Sequence, residues 1–557
     1  PCVCTVLLRR ADNVTARSAV VTTRSSSAKS GSFTPWQDGN AGQSAKLNVA
    51  RRGAAGLAFQ AAGARRVCAV GGDVGSGSSF AASDVVECSS VDFVGRLPAV
   101  GTGFSVQRYR LPSATSFSHC ASHGPFVYCA GGNLAASGTA ATASKKTLRA
   151  QVLRESEATT VSVDVRVAAD SSSSSSSNAT MEKQFTSGTY QYRVSAVFAA
   201  NDNLNPGGES LPSAPVVITL PALSENILGR IRVVLTWLSV PDAEAYRVYR
   251  SRTAGGKGGG GGGGSDSEVA LLVEVDDTTM EVIDAGDAVI ADDAPVPLEP
   301  GSLGQWVELS GAAAELRAAR WAHTGAALQK KISGSDATLW YIMGGDRVPP
   351  GGSPLFEVAR LSYTEPATSC KRCRPTPGAL AWQAVDGTNM PSGTDFKFAK
   401  LQVADSLSAG DIVGSNTAFG VLGGESDART FYHSPPLDFS NPANPFQSAW
   451  HSPIQVNSLR QTAGCFYTWG SLSYFRSGVG GDTGVLGAAA TNKCKQCIMG
   501  GTATQPFGGC SWSACSGDAG GTASLAHPAC ILDNANIYLL GGGSGTTLST
   551  AVVASAT

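Results

Sequence analysis

Runs of apolar residues that stop at paired glycines recur along the chain. They read FVYCAGG at 126–132, LWYIMGG at 339–345 and IYLLGG at 537–542. Runs rich in aromatic and aliphatic residues predict β-strands, and a glycine pair marks a tight turn where a Cβ would clash. The six pairs are Gly71 and Gly72, Gly131 and Gly132, Gly344 and Gly345, Gly423 and Gly424, Gly500 and Gly501, and Gly541 and Gly542.

Further features recur around these pairs. A second apolar run precedes several of them, as in WAHTGAALQ at 321–329, and a polar loop with a third run follows most, as in LFEVARLSY at 355–363. A tryptophan often comes next, as at Trp306, Trp382 and Trp450. The arrangement resembles the kelch repeat, in which each repeat is a four-stranded blade and the glycine pair ends its second strand. The step from Gly500 to Gly541 is near the usual kelch period of about 50 residues.

This resemblance implies a six-bladed propeller. A propeller closes so that no sheet edge stays unpaired. The chain ends in TLSTAVVASAT at 547–557 and carries SFTPWQDG at 32–39. We therefore expect the N-terminal segment to complete the blade that the C-terminal segment begins.

The repeat is interrupted between Gly132 and Gly344, and the intervening strands alternate. SGTYQYRVSAVF at 187–198 and VVLTWLSVPDAEAYRVYRSR at 233–252 resemble a fibronectin type III-like module. The tyrosine-rich strand and its GESLPS turn precede the Trp237 strand, the reverse of the family's usual order, so the module is either permuted or built from parts of two. The residues predicted to share a face are Tyr190, Tyr192, Val194, Ala196 and Phe198; Val233, Leu235 and Trp237; Tyr246 and Val248; and Val269, Leu271, Val273 and Val275.

The predicted fold class is all-β: a six-bladed kelch-like β-propeller with an inserted immunoglobulin-like or fibronectin type III-like β-sandwich. Residues 1–150 would hold the closing strand and blades one and two. Residues 151–298 would form the inserted module, whose serine run at 171–177 and glycine run at 258–264 are predicted loops. Residues 299–557 would form the end of blade two and blades three to six.

Composition narrows the function. The 557 residues include 66 glycines, charged residues make up only 15%, and the net charge is −1. No basic stripe marks a nucleic-acid binder, and we interpret basic pairs such as Arg51 and Arg52 as solvated surface. No apolar run approaches the roughly 18–20 residues of a membrane span. Because the sequence begins at Pro1, we expect a processed or partial chain.

Fourteen cysteines favour disulfides in an oxidising compartment. Cys120 and Cys129 flank a predicted hairpin, and Cys68 and Cys88 lie on successive strands. Two glycosylation acceptors agree with an extracellular or cell-surface location, namely Asn13 and Asn178. The disulfide candidates are Cys68, Cys88, Cys120, Cys129, Cys370, Cys373, Cys494 and Cys497.

Other chemistry is weaker. CKRC at 370–373 and CKQC at 494–497 lie more than a hundred residues apart, too far for paired zinc knuckles, and a thioredoxin-like setting for a redox dithiol is absent. His119, His323 and His527 fall at matching places in three repeats, which favours a structural position in each blade over one active site. The adjacent acids Asp276 and Asp277, and Asp292 and Asp293, are interpreted as turn and surface residues. We predict no catalytic residue, no cofactor and no metal site.

The predicted function is therefore non-enzymatic: a structural or adhesive glycoprotein of a cell-surface coat, extracellular fibre or appendage. Its partners would be copies of itself or fellow surface or fibre subunits, with covalent glycans and without nucleic acid. The alternative is a carbohydrate- or protein-binding receptor domain. A secreted copper oxidase of the galactose oxidase type, which also combines a kelch propeller with a sandwich, ranks third because its ligand set is not visible.

Overall fold

The fold was analysed in a computed structural model of the chain. The residues that it describes are 4–5, 20–21, 37–38, 46–61, 63–76, 79–92, 95–97, 103–135, 141–154, 160–168, 185–222, 228, 230–251, 269–332, 335–347, 355–366, 374–387, 389–391, 396–397, 399–405, 417–422, 430–435, 437–446, 448–455, 462–469, 472–479, 491–498, 511–514, 529–533, 536–542 and 548–555.

Every element with described bounds is a β-strand, which confirms the predicted all-β class. In chain order the strands are β1 (Cys4–Thr5), β2 (Val20–Val21), β3 (Gln37–Asp38), β4 (Lys46–Arg51), β5 (Ala55–Ala61), β6 (Ala64–Val70), β7 (Asp73–Val74), β8 (Ala81–Ala82), β9 (Val86–Val91), β10 (Ser105–Val106), β11 (His119–His123), β12 (Phe126–Ala130), β13 (Thr147–Gln151), β14 (Ser162–Val167), β15 (Gly188–Phe198), β16 (Val216–Leu220), β17 (Ile231–Thr236), β18 (Ala243–Ser251), β19 (Val269–Asp276), β20 (Glu281–Asp284), β21 (Val307–Glu308), β22 (Arg320–Trp321), β23 (Thr324–Ile332), β24 (Ser335–Met343), β25 (Asp346–Arg347), β26 (Phe356–Leu361), β27 (Tyr363–Thr364), β28 (Thr376–Pro377), β29 (Trp382–Ala384), β30 (Lys400–Asp405), β31 (Thr417–Leu422), β32 (Thr430–His433), β33 (Ile454–Gln455), β34 (Thr462–Trp469), β35 (Leu472–Val479), β36 (Thr491–Ile498), β37 (Ser511–Ala514), β38 (Ala529–Asp533), β39 (Asn536–Leu540) and β40 (Leu548–Ser555).

Six antiparallel sheets repeat one plan. Sheet 1 has the order β5-β6-β9-β10, sheet 2 β11-β12-β13-β21, sheet 3 β23-β24-β26-β29, sheet 4 β30-β31-β32-β33 and sheet 5 β34-β35-β36-β37. Sheet 6 has the order β38-β39-β40-β3, and β4 also pairs with β40. Two N-terminal strands therefore complete the sheet that the C-terminal strands begin.

The sheets contact one another in chain order through their first strands. β5 contacts β11, β11 contacts β23, β23 contacts β30, β30 contacts β34, β34 contacts β38, and β38 contacts β5. Buried apolar clusters lie between sheets 6 and 1, 1 and 2, 2 and 3, and 3 and 4. The core of this part of the chain therefore lies between the faces of successive sheets.

The glycine pairs follow the second strand of their sheets. In the four pairs that the structure describes, φ is near +65° at the first glycine and near +100° at the second. These left-handed values strain any residue with a Cβ. The pairs are Gly71 and Gly72, Gly131 and Gly132, Gly344 and Gly345, and Gly541 and Gly542.

Three of the four described pairs also donate a hydrogen bond to the segment that enters the next sheet. The amide of Gly72 donates to the Thr115 carbonyl at 2.8 Å, and that of Gly132 donates to the Arg320 carbonyl at 2.9 Å. The amide of Gly542 likewise donates to the carbonyl of Arg51 at 2.7 Å, which joins sheet 6 to sheet 1. A Cβ on Gly131 would lie 3.0 Å from the Arg320 carbonyl oxygen and 2.5 Å from His323 Cε1. The bare backbone thus permits the close approach of neighbouring sheets.

Strands β14 to β20 form two further sheets around one buried cluster. One sheet has the order β14-β17-β20 and the other β16-β15-β18-β19. The predicted inward faces of β15, β17 and β18 are buried in this cluster. Since all seven strands share one core, the tyrosine-rich strand and the Trp237 strand belong to a single unit and not to parts of two.

Strand β19 departs from the predicted alternation. A β-bulge interrupts its pairing with β18, so that Val248 lies opposite Val273 and Tyr249 opposite Leu271. Leu272, Val273 and Val275 pack against the cluster. The prediction that Val269 and Leu271 share a face with Val273 is therefore wrong, because the extra residue in the bulge reverses the alternation.

A buried carboxylate joins the two-sheet unit to the segment between sheets 1 and 2. Glu209 is fully buried and accepts hydrogen bonds from Arg108, from the Tyr249 hydroxyl, and from Arg247 Nη1 at 2.9 Å. The Glu209 amide donates to the Tyr109 hydroxyl at 2.6 Å. Since Arg108 and Tyr109 lie outside the unit, this network fixes its position relative to the sheets.

Two more contacts extend this junction. The Gln305 amide donates to Asn205 Oδ1 at 2.6 Å, and Leu204 lies in the buried cluster between sheets 2 and 3. Arg374 binds Asp202 and lies 3.9 Å above the Phe198 ring.

In the part of the chain that the structure describes, no helix has the length and apolarity to cross a membrane.

Candidate functional site

A cavity of about 770 Å³ lies between the first strands of the sheets. β5, β11 and β23 supply most of its wall, and β30 and β38 contribute Leu401, Cys530 and Ile531. Ten polar residues line it, some on the first strands and some on neighbouring segments. They are Gln60, Arg65, Ser118, His119, Ser122, Arg154, His323, Thr324, Gln329 and Thr338.

His119 is held in one tautomer. Its Nδ1 accepts a hydrogen bond from the indole Nε1 of Trp340 at 2.9 Å, so that the proton of the neutral ring resides on Nε2. Trp340 is itself fully buried between sheets 2 and 3. The ring is therefore oriented by the core of the molecule.

His323 stays neutral in the fold. Burial lowers the pKa of His323 well below its usual value, and its electrostatic interactions with Arg320 and His119 act in the same direction. A Cβ on Gly131 would overlap its ring, and a Cβ on Gly345 would overlap its own Cβ. This contact links the histidine to two glycine pairs.

The predicted equivalence of His119 and His323 is wrong. His119 lies opposite Ala130, which directly precedes Gly131. In sheet 3 the residue opposite Met343, which directly precedes Gly344, is Thr324. The two histidines are therefore one position apart. The offset is not visible in the sequence, because the hairpin between the histidine and the glycine pair is longer in sheet 3 than in sheet 2. His527 lies outside the described residues.

Two buried ion pairs occupy equivalent positions in sheets 1 and 3. Ala55 on β5 lies opposite Val70, the residue before Gly71, and Arg51 lies four residues before Ala55. Its Nη2 is 3.0 Å from Glu87. Arg320 likewise lies four residues before Thr324, which is opposite the residue before Gly344, and it pairs with Glu357. Each guanidinium also donates to the carbonyl of the first glycine of its sheet's pair. All four charged side chains are fully buried.

The interpretation of Arg51 as solvated surface is therefore wrong. Its charge is satisfied by Glu87 and by the carbonyl oxygens of Gly71 and Val85. Sheet 2 has Thr115 and Leu148 at the corresponding positions. The glutamate is the second residue of β9 and of β26. The shared order of arginine, glycine pair and glutamate is the sequence signal for these pairs, although the separations differ between the two repeats.

Two disulfides lie in the cluster between sheets 1 and 2. Cys68 on β6 is bonded to Cys88 on β9, and Cys120 on β11 to Cys129 on β12. All four residues belong to the same buried cluster. Cys530, beside the cavity, is also disulfide-bonded. The predicted use of cysteine for disulfides is thus present in the described part of the chain.

Several predicted site residues lie where the structure gives no side-chain detail. Cys494 and Cys497 lie on β36, and their side chains are outside the described set. The remaining predicted residues outside the described part are Asn13, Asn178, Cys370, Cys373, Gly423, Gly424, Gly500 and Gly501. Among the described residues, no group of three or more histidine, cysteine, aspartate or glutamate side chains is placed to hold a metal ion.

The histidine pair of sheet 4 gives a pH-dependent prediction. Burial, and then the nearby His451, lowers the pKa of His433 from 6.5 to about 4. Between these values the unfolded chain binds a proton that the folded chain does not, so stability is full above pH 6.5 and falls as the pH drops toward 4. The expected loss is about 3 kcal/mol.

Urea unfolding of the wild type and of His433→Gln at a series of pH values from 4 to 8 measures this loss. The difference between the two proteins should change across the window and stay constant above pH 7. Parallel curves for the two proteins from pH 4 to 8 would contradict the assignment to His433.

Comparison with known proteins gives little. No protein-family model matches the chain, and no curated protein matches it. One similar solved structure, titled "Structure of YjhT", covers 91% of this chain and 96% of that chain at 9% identity, with a TM-score of 0.32. A similarity of this size carries no conclusion about function.

Proposed function

We propose that sheets 1 to 6 are the blades of a six-bladed kelch-like β-propeller. The contacts between first strands support this, because each first strand contacts the next and β38 of the last sheet contacts β5 of the first. The pairing of β3 and β4 with β40 supports closure by the N-terminal segment. The cavity would then be the central channel of the ring.

The two-sheet unit is, in this proposal, a permuted fibronectin type III-like sandwich inserted in blade two. Its strands lie between β13 and β21, which pair with each other in sheet 2. The tyrosine-rich β15 pairs with β18, the strand that follows Trp237. β15 precedes Trp237 in the sequence, yet both belong to one buried core. This supports permutation of one module.

The chain acts as a non-enzymatic structural or adhesive glycoprotein of a cell-surface coat, extracellular fibre or appendage, through protein–protein docking. The observation that carries this proposal is the junction at Glu209, which fixes the sandwich on the propeller through a fully buried carboxylate. A rigid two-part body presents several faces and strand edges in fixed relative positions. The buried disulfides fit an oxidising compartment outside the cell.

The polar cavity favours a second candidate, a carbohydrate- or protein-binding receptor domain. Its volume of about 770 Å³ falls in the range of small-molecule sites, roughly 300–1,000 Å³. Arg65, Arg154 and the oriented His119 line it and could donate hydrogen bonds to a ligand. In this alternative the ring is a receptor and self-assembly is not required.

Labelling of intact source cells with a membrane-impermeant amine reagent tests the proposal. We expect the protein to be labelled while a cytosolic control protein is not, and to be extracted with other surface or fibre proteins after mild chemical crosslinking. An unlabelled protein that is labelled only after lysis would overturn the proposal. A labelled protein that crosslinks to no other protein would favour the receptor.

A further inference from the structure

We propose that the free edge of strand β14 pairs with β14 of a second copy of this chain, in antiparallel orientation about Val165. β14 lies at the end of the sheet β14-β17-β20, and no described strand pairs with its other side. An edge strand with free N–H and C=O groups is a template for a further strand. This inference rests on the proposed docking function and names one partner.

The backbone groups that face outward can be assigned. The Ala168 amide donates to the Arg230 carbonyl of the neighbouring segment at 2.8 Å. Hydrogen-bonded and non-bonded positions alternate along an antiparallel pair, so Arg166 and Asp164 also direct their backbone groups toward β17. Val163, Val165 and Val167 therefore direct theirs toward the free edge.

Side chains at this edge are exposed in the single chain. Val165 and Val167 are 43% and 57% exposed. Asp164 and Arg166 lie together on the other face, where Arg166 Nε donates to Asp164 Oδ2 at 2.8 Å. Their side chains are 61% and 60% exposed.

The sequence SVDVRV is complementary to itself when two copies run antiparallel about Val165. Val165 then lies opposite its counterpart, and Val163 lies opposite Val167 in both halves. These are the outward-facing positions, so each pair exchanges two backbone hydrogen bonds. The interface has two-fold symmetry, as in most homodimers.

Charge complementarity selects the second copy as the occupant. In this register Asp164 of each copy lies opposite Arg166 of the other, at non-hydrogen-bonded positions where side chains approach most closely. Parallel pairing in the same register would instead place like charges side by side. Valines alternate with one acidic and one basic residue along β14, so an antiparallel second copy places each acid opposite a base.

Sedimentation velocity of the full chain, with charge variants of β14, tests the inference. Arg166→Asp and Asp164→Arg each place like charges opposite one another twice per dimer, and each should weaken dimerisation by roughly tenfold or more. The double variant Asp164→Arg with Arg166→Asp restores opposite charges, so it should dimerise like the wild type. Circular dichroism and thermal unfolding of each variant verify folding.

Val165→Pro supplies a second test, because it removes an outward amide and leaves the pairing with β17 intact. It should abolish the dimer without unfolding the module. A wild type that stays monomeric at about 100 µM, a concentration at which any dimer with a Kd in the low micromolar range or below would form, would overturn the edge pairing but not the surface location. A dimer that is insensitive to both charge variants and to proline would overturn it as well, since docking then uses another surface.

Discussion

Replacement of Glu357 by leucine is expected to lower the free energy of unfolding by about 3–5 kcal/mol, because it leaves a buried guanidinium without its counter-charge. Arg320 and Glu357 are both fully buried. The remaining carbonyl partners of Arg320, on Gly344 and Leu355, accept hydrogen bonds but do not neutralise its charge. Urea unfolding monitored by tryptophan fluorescence measures the loss.

The chain provides its own control for this variant. Sheet 2 has Thr115 and Leu148 where sheet 3 has Arg320 and Glu357. The double variant Arg320→Thr with Glu357→Leu removes both charges together and should lose less stability than Glu357→Leu alone, since burying no charge avoids the desolvation cost. A single variant that loses under 1 kcal/mol, or a double variant that loses more than the single, would contradict the importance of the pair.

Replacement of Glu209 by glutamine should have an effect of similar size, about 3–5 kcal/mol. The variant leaves Arg108 and Arg247 facing a neutral group at a buried position. Because Arg108 lies outside the two-sheet unit, the junction itself should loosen. Hydrogen exchange of residues 203–211 should become faster, together with exchange at the adjoining residues 107–109.

Glu274→Gln is the matched control. Glu274 binds the same arginine, with Arg247 Nε at 2.7 Å from Oε2, but its side chain is about half exposed. An exposed pair contributes roughly 0–1 kcal/mol, so this variant should change neither stability nor exchange at the junction appreciably. Equal effects of the two substitutions would mean that the buried position of Glu209 has no special role.

Much of the fold follows from local rules. A glycine pair after an apolar strand reflects a steric limit, so Gly131 and Gly541 mark the ends of β12 and β39 in the sequence itself. The alternation of Tyr192, Val194 and Ala196 similarly reflects one buried face. The return of the N-terminal segment to β40 followed from the need to pair sheet edges. These features depend on near neighbours or on a general constraint.

Features that depend on distant partners were not predictable in the same way. Arg51 is buried because it pairs with Glu87, which lies 36 positions later in the sequence. Without knowledge of that partner, an arginine predicts a solvated surface position. Glu209 lies in GESLPS, which is typical of a turn, yet its partners come from two parts of the chain. The bulge at Leu272 leaves no composition signal. Each depends on packing between elements.

The candidate site was only partly accessible from sequence. The histidines His119 and His323 were singled out, but their offset of one position depends on strand register. The cavity that they line forms where the first strands of different sheets meet, and no single repeat contains it. Trp340, which fixes the tautomer of His119, belongs to the neighbouring sheet.

The measurement that tests the central claim most directly is peptide mapping by mass spectrometry of the protein purified from its source under non-reducing conditions, with free thiols blocked first. The account predicts linked peptides for Cys68 with Cys88 and for Cys120 with Cys129. It also predicts glycan mass on Asn13 or Asn178. Free thiols at those four cysteines, with both asparagines unmodified, would contradict an extracellular, disulfide-bonded glycoprotein.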